Sequence, residues 1–419
     1  MNFQGGQMRY PLTRCRYIFI CFLLAAAGAR LFAQTGGAIK VITVGNKNVG
    51  LVSSAGVLVN RTLYVAGQDG RDSSGAVPTD FQREVRQSLD HVQGVLRAAG
   101  MDFGNVVWMN VYLTRMPDLD AMNKVYWKMI GADAPARTVL GVASLPNGEN
   151  IEINCIAVGS AARRRVIHPP GWPQGPHIDP AGIEADDVLY MSAQGGVDPL
   201  TGRVATDYAG EVKQALDNVA AVVKAANMGM ANVIWVNPYL SNDSGPERVM
   251  NKIYATYFEF GNTPGRGTIQ VVELSNHAHV VFSCIAGADL SKRTSIRPRN
   301  EKPSPTASPG ILYGDTLYLS AKDAYVPALG LFSPELGIQV RMSMRSLLDG
   351  LQKADMDFPN VVSSTIYLRD VKDEDPIVSL YGSFFKDNFP ARTTLQQNFD
   401  MKSEDVEQIS FIAVRQPLH

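Results

Sequence analysis

Arg137 stands in the stretch PARTVLGVASLPNGENIEINCIAV (135–158), with Glu152 fifteen residues after it. The guanidinium fork binds a carboxylate through two parallel hydrogen bonds, which fixes the orientation of what it holds. A glutamate beside an electrophilic carbon can orient a water and accept its proton. The same two residue types could instead pair with each other and clip two strands together. Two further stretches bear on the choice, PGRGTIQVVELSNHAHVVFSCIAG (264–287) and PARTTLQQNFDMKSEDVEQISFIAV (390–414), which repeat the arginine as Arg266 and Arg392. The carboxylate is not repeated with it. Its counterpart in the second stretch is Val281; in the third, aligning FIAV gives Gln408 and counting fifteen from Arg392 gives Glu407. An arginine that existed to serve its glutamate would become an uncompensated charge wherever the partner is lost. Retention of the arginine alone points to anion binding, with hydrolysis kept where Glu152 is kept.

The elements that carry these residues also recur. The three arginines are 129 and 126 residues apart, and an alternating strand pattern repeats as RTLYVAGQDG (61–70), DVLYMSAQGG (187–196) and DTLYLSAKDA (315–324). The segments TDFQREVRQSLDHVQGVLRAAGM (79–101) and TDYAGEVKQALDNVAAVVKAANM (206–228) are nearly one helix, with IQVRMSMRSLLDGLQKADM (338–356) as its third copy. In the first, Thr79 and Gln82 have the spacing of a capping box. Phe81, Val85, Leu89, Val92 and Leu96 form one apolar stripe. The period-two segments NVVWMNVYLTR, NVIWVNPYLSN and NVVSSTIYLRD predict the next strand, and a second helix follows around 118–131. Each unit therefore predicts an α+β domain, strands–helix–strand–helix–strand–strand, with both helices on one face of a mixed sheet. The domains are expected at 40–160, 175–290 and 305–416, the last the most divergent. Pro- and charge-rich linkers are expected at 159–176 and 295–310. Arg163 to Arg165 lie in the first linker without interleaved aromatics, as a solvated linker rather than a phosphate patch. Three units in one chain predict a closed intramolecular pseudo-trimer with binding clefts between neighbours.

A formal charge of −1 on 419 residues supplies no field for nucleic acid or an anionic membrane, so partners must be argued from sites. At the N-terminus Arg9, Arg14 and Arg16 precede the apolar run YIFICFLLAAAGA, with Ala33 beyond. Residues 1–33 read as a secretory signal peptide, which implies a periplasmic or secreted protein free of the membrane after cleavage. The run is short of the roughly 20 apolar residues of a membrane span, which leaves an uncleaved anchor as the alternative. Outside it only Cys155 and Cys284 remain, at equivalent places in two copies, and small buried strand residues fit them better than a disulfide. His277 and His279 would share one face of a strand, but no third ligand follows at zinc spacing.

In order and spacing, LYVAGQ, NVVWMNVYLTRMPDLDAMNKVY, PARTVLGVASLP and IEINCIAV resemble the RidA/YjgF family of imine and enamine deaminases, also labelled endoribonuclease L-PSP. The resemblance is close over 45–160, good over 175–290 and loose over 305–415. It implies chorismate-mutase-like units and clefts between subunits. Catalysis would need no metal or organic cofactor, with arginine on the substrate carboxylate and glutamate on the hydrolytic water. Carried over, Arg137 and Glu152 become the catalytic pair. Asn123 and Gly67 line the same pocket, and Arg266, Asn251, Arg392 and Gln408 are the binding residues of the other units. Val52 and His177 stand at a tyrosine position, and Val378 falls near the asparagine position of the third unit.

The expected function is hydrolysis of 2-imino or enamine acids to 2-oxo acids and ammonia by a monomeric pseudo-trimer, with its working pocket at Arg137. A non-catalytic small-carboxylate-binding or scaffold protein is the alternative. The near-neutral charge and the lack of a basic, aromatic-lined groove speak against an endoribonuclease.

Overall fold

The computed structural model describes residues 38–44, 52–159, 162–299, 301–325, 332–386, 388–398 and 404–416. The expected signal peptide lies outside the described residues. In the first domain the helix Phe81–Ala98 lays Val85, Leu89, Val92 and Leu96 on the sheet with 0% exposure each. Its cap is Asp80, which accepts from the Arg83 N–H, not the expected Thr79. Asp80 directly precedes the first helical residue, and Asp207 caps the second copy in the same way.

The first sheet runs, edge to edge, Lys40–Ile42, Gly56–Val59, Thr62–Asp69, Ile151–Val158, Val106–Leu113 and Ala136–Gly141. All neighbours are antiparallel except the last two, which are parallel because the helix Leu119–Ile130 connects them. The strand Glu273–Leu274 of the second domain then pairs onto Ala136–Gly141. The third sheet repeats the order, and the second does so with short, interrupted strands. Arg164–Ile167 and Arg293–Ile296 open the second and third sheets, so strands occupy parts of both segments expected as linkers. Their hydrogen-bonding partners lie beyond the next loop, which local composition does not reveal. Arg165 pairs with Glu184, and Arg164 donates to the carbonyls of Asp133 and Ala134, so neither is a free phosphate ligand.

Pleat parity divides the functional residues. Ile151, Ile153, Cys155 and Ala157 point to the helix-covered core, which places Glu152 and Asn154 on the other face. Ala136 and Leu140 face away from the helices while Val139 packs toward them, so Arg137 is on the helix side. The non-helix faces of all three sheets meet. Trp108, Trp235 and Val362 join one apolar cluster, and Tyr112, Tyr239 and Tyr367 another. Each arginine-bearing strand docks on the next domain through the arginine's own backbone N–H. That of Arg137 donates to Ser192 Oγ (2.9 Å), Arg266 to Ser320 Oγ (2.8 Å) and Arg392 to Ser53 Oγ (3.2 Å). The contacts thus run from the first domain to the second, to the third and back to the first.

Candidate active site

Between the third and first domains, Arg392 and Glu152 line one cleft of about 1200 Å³. Arg392 projects from Ala391–Gln396, the parallel edge strand. Its Nη1 donates to Glu374 Oε1 (3.2 Å) and to Thr394 Oγ1, and its Nε to the Val52 carbonyl (3.3 Å). Val378 lines the same cleft at the position where the resemblance places an asparagine.

Glu152 reaches this cleft from the non-helix face of the first sheet and is 5% exposed. It lies against Gly67, where the pairing of Thr62–Asp69 with Ile151–Val158 shifts register. A Cβ on Gly67 would stand 1.5 Å from Glu152 Oε1, so only glycine leaves room for this carboxyl. The corresponding residues of the other two domains are Ala193 and Ala321.

Register also settles the counterpart of Glu152. Tyr112 faces Glu152, Tyr239 faces Val281 and Tyr367 faces Gln408. Glu407 points the other way, is wholly buried and accepts from Ser343 Oγ (2.7 Å); burial pushes its carboxyl up to about 8.

Burial is the largest influence on Glu152 and holds its carboxyl well above the usual range; Glu149 and Asp69 push the same way, and Arg392 opposes them. Glu149, 3% exposed and on the same cleft, is pushed up to about 8, again chiefly by burial. Asp69 is already engaged by Arg71, whose Nε stands 2.8 Å from Oδ2.

The expected pair of Arg137 and Glu152 is not brought together. Both Met109 and Tyr112 lie on Val106–Leu113, yet Arg137 sits opposite Met109 and Glu152 opposite Tyr112. The two are three positions apart along the strand and on opposite faces. Arg137 instead belongs to the boundary of the first and second domains. Its Nε and Nη2 donate to Asp179 Oδ2 (3.0 and 2.9 Å), and its Nη1 donates to Asn123 Oδ1 (2.8 Å). The guanidinium lies 4.2 Å from the Tyr126 ring centroid, and His177 stacks on the adjoining Trp127. A protein carboxylate thus already occupies this arginine, and the residue at the glutamate register is Val281.

Arg266, between the second and third domains, donates from Nε to Thr268 Oγ1 (2.7 Å) and from Nη2 to Glu247 Oε1 (3.1 Å). Asn251 also donates to Glu247 Oε1 (3.1 Å), so the predicted Arg266 and Asn251 share a partner. Gln408 holds the glutamate register of the third domain and has a buried Oε1 without a hydrogen bond. Cys155 and Cys284 are free buried thiols. Among the described residues no group of three or more His, Cys, Asp or Glu is arranged to hold a metal ion.

Glu149, Asp179 and Glu374 were not anticipated. Glu149 was hidden inside an Asn-Gly turn, in which Asn147 and Gly148 both adopt positive φ (59° and 77°). Asp179 and Glu374 meet arginines 42 and 18 residues away in sequence, and no local pattern marks such pairings.

The profile of the endoribonuclease L-PSP family matches three times, at residues 50–159, 175–288 and 301–414. A 2-iminobutanoate/2-iminopropanoate deaminase of Rattus norvegicus is 43% identical over 112 residues, 26% of this chain and 81% of the relative. The protein of the same name from Homo sapiens is 39% identical over 107 residues, 25% of this chain and 78% of the relative. A solved structure of RidA from an Antarctic Psychrobacter is 29% identical with a TM-score of 0.26, covering 29% of this chain and 97% of that one. With all three sheets matched in turn, the chain belongs to the endoribonuclease L-PSP, or RidA/YjgF, family, as three tandem copies of its domain.

Proposed function

We propose that the protein hydrolyses 2-imino acids to 2-oxo acids and ammonia, and that it does so in the cleft between the third and first domains. The observation that carries this reading is the placement of Arg392 and Glu152 on one cleft, with the Glu152 carboxyl where a Cβ on residue 67 would overlap it. The deaminase names of the relatives support the reaction class.

Arg392 takes the substrate carboxylate with Nη2, the nitrogen left by Glu374, Thr394 and the Val52 carbonyl. The imine carbon then lies toward Glu152. Glu152, kept neutral by burial, gives its proton to the imine nitrogen, and the C=N carbon becomes more electrophilic. The resulting carboxylate takes a proton from the attacking water as the C–O bond forms. That proton passes to the amine nitrogen of the tetrahedral adduct. The C–N bond then breaks as the hydroxyl of the adduct gives its proton to Glu152, so ammonia leaves, the 2-oxo acid remains and the acid is restored. A carboxyl with a raised pKa suits both halves of this cycle, because it is neither too weak a base nor too weak an acid near neutrality.

The test is hydrolysis of 2-iminopropanoate generated in situ by an amino-acid oxidase. Arg392→Ala and Glu152→Gln should each lower kcat/KM at least a hundredfold, while Arg137→Ala retains turnover. If the parent does not accelerate hydrolysis but binds a 2-oxo acid saturably, and Arg392→Ala abolishes that binding, the protein is a carboxylate-binding member of the fold. Loss of activity in Arg137→Ala with retention in Arg392→Ala would move the site to the other cleft and overturn the assignment.

A further inference from the structure

Two buried carboxyls, not one, line the working cleft. Glu149 is 3% exposed, and its Oε2 has no hydrogen-bond partner. A buried carboxylate oxygen without a donor or a cation is costly, and an acid usually avoids that state by keeping its proton. The arginines of the cleft pair with other carboxylates, Arg71 with Asp69 and Arg392 through Nη1 with Glu374. Neither Glu149 nor Glu152 is within ion-pair distance of a basic group among the described residues.

We infer that Glu149 is a positioning residue for the reaction: as the second buried carboxyl of the same cleft, without a partner of its own, it couples electrostatically to Glu152 and keeps Glu152 in its proton-carrying form while the cleft is empty. This rests on the reading that Glu152 is the acid–base group. The charged groups around the pair are Asp69 and Arg71 on its flank, Glu374 and Arg392 across the domain boundary, and His91 on the cleft wall. Behind it Glu84 holds the next residue, Asn150, by its N–H and side-chain amide (2.6 and 2.9 Å), which fixes the backbone that presents Glu149. Asp72 and Asp375 also line the cleft, so with Glu149 and Glu152 themselves the carboxyls outnumber the two arginines, and ionising both members would repel the carboxylate that Arg392 must admit. A proton held on Glu152 removes that obstacle. Because like charges couple, the two carboxyls lose their protons in two macroscopic steps, and the upper step sets the alkaline limit for an acid that must start protonated.

The experiment is the pH profile of kcat/KM for the parent, Glu149→Gln and Glu149→Asp. Removing the second acid should move the alkaline limb to lower pH by at least one unit, and Glu149→Asp should return it toward the parent. A role confined to packing would change the rate without moving the limb, and an unmoved limb overturns the inference. A second readout needs no turnover: the infrared band of the protonated Glu152 carboxyl, isolated as the difference between each protein and its Glu152→Gln counterpart. In the Glu149→Gln background this band should vanish at lower pH than in the parent. A coupled band without imine hydrolysis would sink the proposed reaction and leave the pair standing. Hydrolysis with an unshifted band would do the reverse.

Discussion

Glu152 and Arg137 project from opposite faces of one sheet, whereas Glu152 and Arg392 share a cleft although they belong to the first and third domains. Strand geometry forces the first half of this relationship. Side chains alternate between faces, and three positions along a strand span about 10 Å. The arginine of one domain can therefore meet only the carboxyl of another. The three copies are unequal: Arg392 shares a cleft with a glutamate, whereas the glutamate register is held by Val281 in the second domain and by Gln408 in the third.

Gly67→Ala tests the steric basis of that inequality. A Cβ at 1.5 Å from Glu152 Oε1 must displace the carboxyl. The substitution should lower kcat/KM for 2-iminopropanoate by about 10²-fold or more, since small misplacements of an acid–base group have effects of that order. Binding of a 2-oxo acid through Arg392 should persist, as isothermal titration would show. Full activity would mean that Glu152 does not act from the position described here.

Glu152→Gln should lose catalysis and gain stability at neutral pH. The folded protein raises this carboxyl above its unfolded value of about 4.3. Its neutral form is therefore favoured on folding, a contribution present at low pH and lost as pH rises toward the folded value. Glutamine has no proton to lose. Thermal melts should give similar midpoints for parent and variant near pH 4, with the variant pulling ahead by about 2 °C or more at pH 8. A gap that narrows with rising pH would contradict the sign of this shift.

Asp179→Ser should uncover a second anion site. Asp179 fills Arg137 as a substrate carboxylate would, and the equivalent residue at the working cleft is Ser53. The variant leaves a buried guanidinium unpaired, which costs about 3–5 kcal/mol. Added 2-oxo acid should recover part of that loss, and titration should show two binding sites where the parent has one. Turnover should not rise, because Val281 stands where hydrolysis needs a carboxyl. Adding Ala193→Gly and Val281→Glu to Asp179→Ser should install measurable activity that survives Glu152→Gln.

Much of this was legible in the sequence, and the limits have physical causes. The alternating strands, the apolar stripe of Phe81–Ala98 and the threefold repetition of the arginine are local patterns, and the structure contains each of them. The identities of Arg392, Glu152 and Gly67 as residues of interest could also be read. Their grouping could not, because it depends on which sheet face meets the next domain. Parity along Ile151–Val158 separates Glu152 from Arg137 only once the register against Val106–Leu113 is known. The choice between Glu407 and Gln408 turned on the same register. Arg164–Ile167 and Arg293–Ile296 were missed as strands because charge and proline around them resemble a tether, while their pairing partners follow a loop later.

The docking of each arginine strand on the following domain has a consequence for how the molecule comes into being. The working cleft joins the earliest-made domain to the latest. Glu152 emerges during synthesis long before Arg392, so the proposed site is incomplete until the last strands are made. A nascent or clipped chain that lacks its last hundred residues would hold Glu152 and Gly67 but not Arg392, the proposed carboxylate anchor. The two sides of the cleft come together only with the final strands, when Arg392 docks against Ser53.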